Sequence, residues 1–136
     1  AYEALPVERI AMIRRGVPAT DAKRLIADLE IPRGLGFSAL KLSEAAVNRK
    51  AKRHEVLPPE ESERVIGLAS LVGQVEAMAR EAGDPADFNA RAWFGRWLTR
   101  TVPAVGWIHP AELLDTMEGQ RLISVTLGRM RDGVYA

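Results

Sequence analysis

The 136-residue chain is 47% apolar and 27% charged, with a formal net charge of +1, proportions that fit a soluble globular protein and exclude a disordered one. It has no cysteine and only two histidines, His54 and His109. That excludes a disulfide framework, a thiolate metal site and a cysteine nucleophile, and leaves too few imidazoles for most histidine-built metal centres. No apolar run nears the roughly 20 residues of a membrane span, and no basic segment followed by an apolar block reads as a signal peptide. The expected location is the cytoplasm, with no membrane partner, and Ala1 in place of Met points to a longer or processed protein.

In chain order, residues 7–15 place Val7, Ile10 and Ile13 on one helical face, and Gly16 stops the helix. Pro18 opens a second helix with Asp21 in its first turn and Leu25, Ile26 and Leu29 as its buried stripe. Gly34 and Gly36 make segment 34–40 a weak helix. Ser43 is a good N-cap for the next helix, SEAAVNRKAKR, whose thin apolar face of Ala46 and Val47 predicts a surface helix. Val56-Leu57-Pro58-Pro59 breaks the pattern and sets the expected domain boundary, 1–57 and 58–136.

A long helix follows at about 60–82. Its stripe runs from Val65 to Ala79 and is wide enough to need cover on more than one side, which predicts interdomain or dimer packing. Asp84-Pro85 has the order that restarts a helix, and Trp93, Phe94, Trp97 and Leu98 load that helix with apolar side chains. A proline loop, a short helix from Pro110 and a last helix at about 120–131 complete the pattern, with Gly133-Val134-Tyr135-Ala136 as an apolar tail. No segment alternates as a strand would, so the predicted class is all-α.

Charge is uneven along the chain. Residues 41–54 hold five basic side chains against Glu44 alone, whereas 55–90 hold eight acidic against two basic. Such asymmetry points to an anionic partner, although a basic helix face can also be merely solvated. Segment 34–54 reads as short helix, turn and capped second helix, the order of a helix-turn-helix whose second helix enters the major groove. In that reading Arg49, Lys50, Lys52 and Arg53 meet mostly phosphate, and Ser43 and Asn48 lie nearer the bases. Enzyme readings fare poorly. No phosphate-cradling glycine motif is present, the two histidines lack partners at ligand spacing, and Glu60, Glu61 and Glu63 are explained by the start of a helix. The chain is therefore expected to be no enzyme, with no metal and no cofactor.

The C-terminal half is more specific. Trp97-Leu98, the proline loop, Pro110-Ala111-Glu112-Leu113-Leu114-Asp115-Thr116, Glu118-Gly119 and the final helix ending Gly133-Val134-Tyr135 resemble the toxin-binding domain of Xre/MbcA/ParS antitoxins. Leu57 to Arg64 (LPPEESER) resembles that family's bridge, and Gly16-Val17-Pro18 with the basic helix 43–53 resembles its Xre-like helix-turn-helix domain. The resemblance implies an N-terminal helix-turn-helix bundle followed by a small helical toxin-binding domain. It implies an antitoxin of a type II toxin–antitoxin system, acting on a cognate RES-domain toxin of NAD-degrading or ADP-ribosylating character. It also implies a homodimer that binds operator DNA and represses its own operon.

On that reading Trp97, Arg129, Arg131 and Gly133, Val134, Tyr135 and Ala136 face the toxin: the apolar tail fills a nucleotide cleft and the arginines meet acidic groups at its rim. The rival reading is a stand-alone helix-turn-helix regulator with a small-molecule pocket among the tryptophans.

Overall fold

The computed structural model describes residues 5–83 and 87–133. Among these, seven α-helices and two 3-10 turns build the chain, and no strand is present. The helices are α1 (Pro6–Arg15), α2 (Ala19–Asp28), α3 (Arg33–Ala39), α4 (Glu44–Lys52), α5 (Pro59–Glu81), α6 (Ala90–Leu98) and α7 (Met117–Arg131). The 3-10 turns, Pro103–Val105 and Pro110–Leu113, join α6 to α7. None of these helices is long and apolar enough to cross a membrane.

Helix boundaries follow local chemistry. Pro6 and Pro59 occupy the first turns of α1 and α5, where a missing N–H costs nothing. Side chains cap three helices: Ser43 Oγ accepts from Ala46 N at 3.2 Å, Asn89 Oδ1 from Ala92 N at 3.0 Å, and Thr116 Oγ1 from Gly119 N at 2.9 Å. Two of these caps shift the expected boundaries. Asn89 starts α6 at Ala90, and the expected start at Asp84-Pro85 lies outside the described residues. Thr116 starts α7 at Met117, about a turn earlier than periodicity suggests, because an N-cap decides the start before any apolar residue is reached. The segment from Pro110 makes a 3-10 turn rather than an α-helix.

Helix α5 is the spine. Helices α1, α6 and α7 all pack on it, while α2 packs on α3 and α4. Its wide stripe is covered within the chain as far as Val75, with Val65, Ile66, Leu68, Leu71, Val72 and Val75 buried and Met78 and Ala79 half-buried beyond them. The same core takes in Leu29, Leu40, Leu57, Phe94, Leu98, Ile123 and Leu127. Helix α1 departs from expectation. Val7 and Ile10 point outward, 76% and 46% exposed, and only Met12 and Ile13 touch the core. The period-3.6 pattern groups Val7, Ile10 and Ile13, but α1 is rotated so that only Ile13 of the three turns inward, beside Met12.

Two glycines set how closely helices approach. Gly36 does not merely weaken α3. A Cβ there would sit 2.5 Å from a methyl of Ile26, so glycine lets α3 lie against α2. Gly67 of α5 leaves room for the Gln120 side chain of α7, which occupies the space a Cβ would need. Gln120 Nε2 donates to Arg64 O at 3.1 Å and to Leu114 O at 2.9 Å. One helical turn on, Gln74 Nε2 donates to Ser124 O at 3.0 Å and Ser124 Oγ donates to Gln74 Oε1 at 2.8 Å. The α5–α7 contact therefore carries a polar seam whose partners are satisfied, which fixes the register of the two helices.

A three-helix ionic bridge sits beside this core. Arg91 of α6 donates to Asp28 Oδ2 of α2 at 2.6 Å and to Glu76 Oε2 of α5 at 3.1 Å. Partial burial opposes its charge, but the bonds to Glu76 and Asp28 outweigh it and hold the guanidinium pKa above its ordinary value.

Candidate functional site

The first candidate surface is α3–turn–α4. The chain leaves α3 through Lys41, at φ +56°, with Leu42 N bonded to Phe37 O at 2.9 Å. The turn is held from outside. Arg64 Nε of α5 donates to Leu40 O at 2.7 Å, and its Nη2 donates to Lys41 O at 3.3 Å. Two residues earlier, the fully buried Ser62 accepts from Val17 N at 2.9 Å and donates to Leu57 O at 3.1 Å. The Ser-Glu-Arg of LPPEESER is thus a fastening. Its serine closes the α1–α2 and α4–α5 connections, and its arginine grips the turn before α4. The segment stands out in the sequence, but a grip on backbone carbonyls 23 and 24 residues away leaves no local pattern.

Helix α4 lies on the surface, as its composition predicts, anchored by Val47 and Ala51. At about 100° per residue, the side opposite those two carries Ala45, Arg49 and Lys52, with Arg53 at the C-cap; all four are exposed. Asn48 is half-buried on one flank of this stripe. Lys50, also half-buried, is turned about 100° from Arg49. The stripe of Arg49, Lys52 and Arg53 therefore faces outward, with Asn48 on one flank and Lys50 on the other. Ser43 Oγ is already engaged at the cap. Ala45, too small to stand out in the sequence, is central. The exposed Arg33 at the start of α3 pairs with the half-buried Glu44 at 3.7 Å, which brings the first turns of the two helices together.

The second candidate surface belongs to the C-terminal half. Trp97, expected to face a partner, is 2% exposed and stacks on Phe94, with centroids 5.9 Å apart and planes at 17°. It is a core residue. Ala90, Phe94, Trp97 and Leu98 share the inward face of α6, and that burial leaves the indole no surface to offer. Trp107 is the tryptophan displayed to solvent, 68% exposed. Trp93 is half-buried and, with Val75, Met78, Ala79, Phe88 and Met130, lines an open groove of about 630 Å³ where α5 and α7 end and α6 begins. The tryptophans therefore do not gather around one cavity.

Arg129 and Arg131 are exposed at the end of α7, and Arg131 Nε bonds Asp132 Oδ1 at 3.1 Å. Gly133 follows at φ +83°. Val134, Tyr135 and Ala136 lie outside the described residues.

A second groove, of about 400 Å³, runs between α3 and the 3-10 turn at Pro110, lined by Leu35, Ser38, Lys41, Thr99, His109 and Asp115 among others. Glu112 Oε2 accepts from the His109 backbone N–H at 3.1 Å, so that carboxylate serves a cap. Among the described residues no three of histidine, aspartate and glutamate gather as metal ligands would.

Comparison with known proteins finds two family domains along the chain. The antitoxin Xre-like helix-turn-helix domain matches residues 8–70, so it includes Ser62 and Arg64. The antitoxin Xre/MbcA/ParS C-terminal toxin-binding domain matches residues 86–133. The chain is also similar to the Prs ADP-ribosylating antitoxin of Sphingobium sp. (strain YBL2), 47% identical over 135 residues that span 99% of this chain and 85% of that protein.

Proposed function

The chain belongs to the Xre/MbcA/ParS antitoxin family, and from that premise we propose how it divides its work. It is an antitoxin with a helix-turn-helix domain and a toxin-binding domain. Residues 1–57 face DNA and residues 58–136 face the toxin, with Ser62 and Arg64 reaching back across that line. The toxin is a RES-domain enzyme that degrades NAD or transfers ADP-ribose, and the antitoxin works by occupying its active site rather than by chemistry of its own. Arg129, Arg131 and the residues from Gly133 onward are the part that enters the cleft. On DNA the protein acts as a homodimer in the cytoplasm and represses its own operon. In this arrangement Arg49 and Asn48 approach base edges, Ala45 meets a thymine methyl, and Lys52 and Arg53 hold phosphates.

The observation that carries this reading is the long match, spanning both modules, to a protein named as an ADP-ribosylating antitoxin. Helix α4 adds physical support, with basic side chains on its outer face and only Val47 and Ala51 committed inward. The test is co-expression with the product of the neighbouring toxin gene, scoring growth and toxin turnover with the full chain and with residues 133–136 removed. The full chain should restore growth. The shortened chain should still bind the toxin while turnover returns; full inhibition without those residues would refute the tail as the occluding element.

A further inference from the structure

The loop between the two 3-10 turns holds a feature that neither packing nor DNA contact uses. Val102 and Ile108 form an isolated antiparallel bridge, with Val102 N bonded to Ile108 O at 3.2 Å and Trp107 N to Val102 O at 3.0 Å. Two successive left-handed residues close it: Gly106 at φ +82° and Trp107 at φ +66°. Turns with consecutive positive φ favour glycine, asparagine and aspartate, because a Cβ there crowds the backbone.

The other non-glycine residues at positive φ, Glu30, Lys41 and His54, each follow a helix end, where a left-handed residue closes the last turn. Trp107 stands at the same offset after the 3-10 turn Pro103–Val105, but there the residue before it, Gly106, is left-handed as well, and Trp107 is 68% exposed. The chain thus places its bulkiest side chain second in a pair of left-handed residues and leaves most of it in solvent. Ile108 beside it is also exposed.

We propose that loop 102–108 is the anchor by which the antitoxin holds its toxin: Trp107, with the exposed Ile108 beside it, enters an apolar pocket on the toxin surface. The proposal rests on the toxin-binding reading above and deepens it by separating the residues that grip from those that occlude. Three observations support it. The loop lies inside residues 86–133, which match the toxin-binding domain. Tryptophan is among the side chains most enriched where binding energy concentrates. The left-handed backbone of an indole left mostly in solvent fits a residue whose burial is completed on binding.

The test uses the full chain and the purified toxin encoded beside it, with binding measured by titration calorimetry and folding by thermal melting. Trp107→Gly removes the indole and the strain together. It should melt at the same temperature as the wild type or higher, yet bind the toxin about 30-fold or more weakly. Trp107→Phe should bind with intermediate affinity. A lower melting temperature for Trp107→Gly would mean that the indole serves the fold and would overturn the proposal. So would toxin binding within about twofold of wild type, or a loss of self-association with toxin binding intact, which would assign the loop to a second copy of the chain. Failure of the wild-type chain to bind the toxin would instead bring down the reading on which the proposal rests.

Discussion

Gly67 and Gln120 should show opposite responses to one substitution, depending on whether the other residue is present. A methyl on Gly67 would take the space of the Gln120 carboxamide. The amide is the far end of a flexible side chain, so the clash itself can be relieved. The cost lies in its hydrogen bonds to Arg64 O and Leu114 O, the second of them buried. Losing both costs about 2 kcal/mol at about 1 kcal/mol each, and glycine to alanine within a helix returns about 1 kcal/mol.

Gly67→Ala should therefore destabilise the wild type by about 1 kcal/mol. In a Gln120→Ala background the bonds are already gone and the space is empty, so the same substitution should stabilise by about 1 kcal/mol. The coupling between the two positions is then about 2 kcal/mol. Urea unfolding of the four proteins, with unchanged slopes, measures it. The same sign for Gly67→Ala in both backgrounds would show that the Gln120 bonds do not hold α5 against α7 as described.

Two further predictions concern DNA. Arg64→Ala removes a charged donor from two turn carbonyls, one of them at 2.7 Å in a partly buried setting; it should cost about 2 kcal/mol in denaturant unfolding and weaken operator binding in gel-shift titrations, while leaving toxin binding intact. Along α4, Arg49→Ala should relax sequence discrimination by about 1–3 kcal/mol at one base pair, and Lys52→Ala should weaken all sequences alike and lower the salt slope by about one. Lys50→Ala, on the other flank, should change neither; a Lys50 effect equal to that of Lys52 would place the groove-facing stripe elsewhere on α4.

Much of the architecture could be read from local chemistry. Ser43 as a cap, Pro59 at a helix start and the wide stripe of α5 each announce themselves within a few residues. What escaped depended on neighbours distant in sequence. Periodicity groups Val7 and Ile10 with Ile13 but does not say that α1 turns inward only the edge carrying Ile13. It grouped Trp97 with Phe94, whereas only the packed fold shows that this group is enclosed and that Trp107 is the displayed indole. Composition marked a basic cluster at 41–54, and helix rotation then separated Lys50 from Arg49 and raised Ala45 to the centre. Gly36 read as a weak point until Ile26 was found against it.

The grip of Ser62 and Arg64 on the N-terminal half bears on how such proteins can be recombined. Although the double proline at 58–59 is the obvious place to splice, a chimera joined there would graft the DNA reader onto a foreign spine. Val17 N–H and two turn carbonyls would lose their partners unless the recipient supplied an equivalent serine and arginine. A transplant that respects the molecule has to carry the opening turns of α5 along with the reader. By the same logic, any exchange of halves between relatives is constrained to junctions further down that helix.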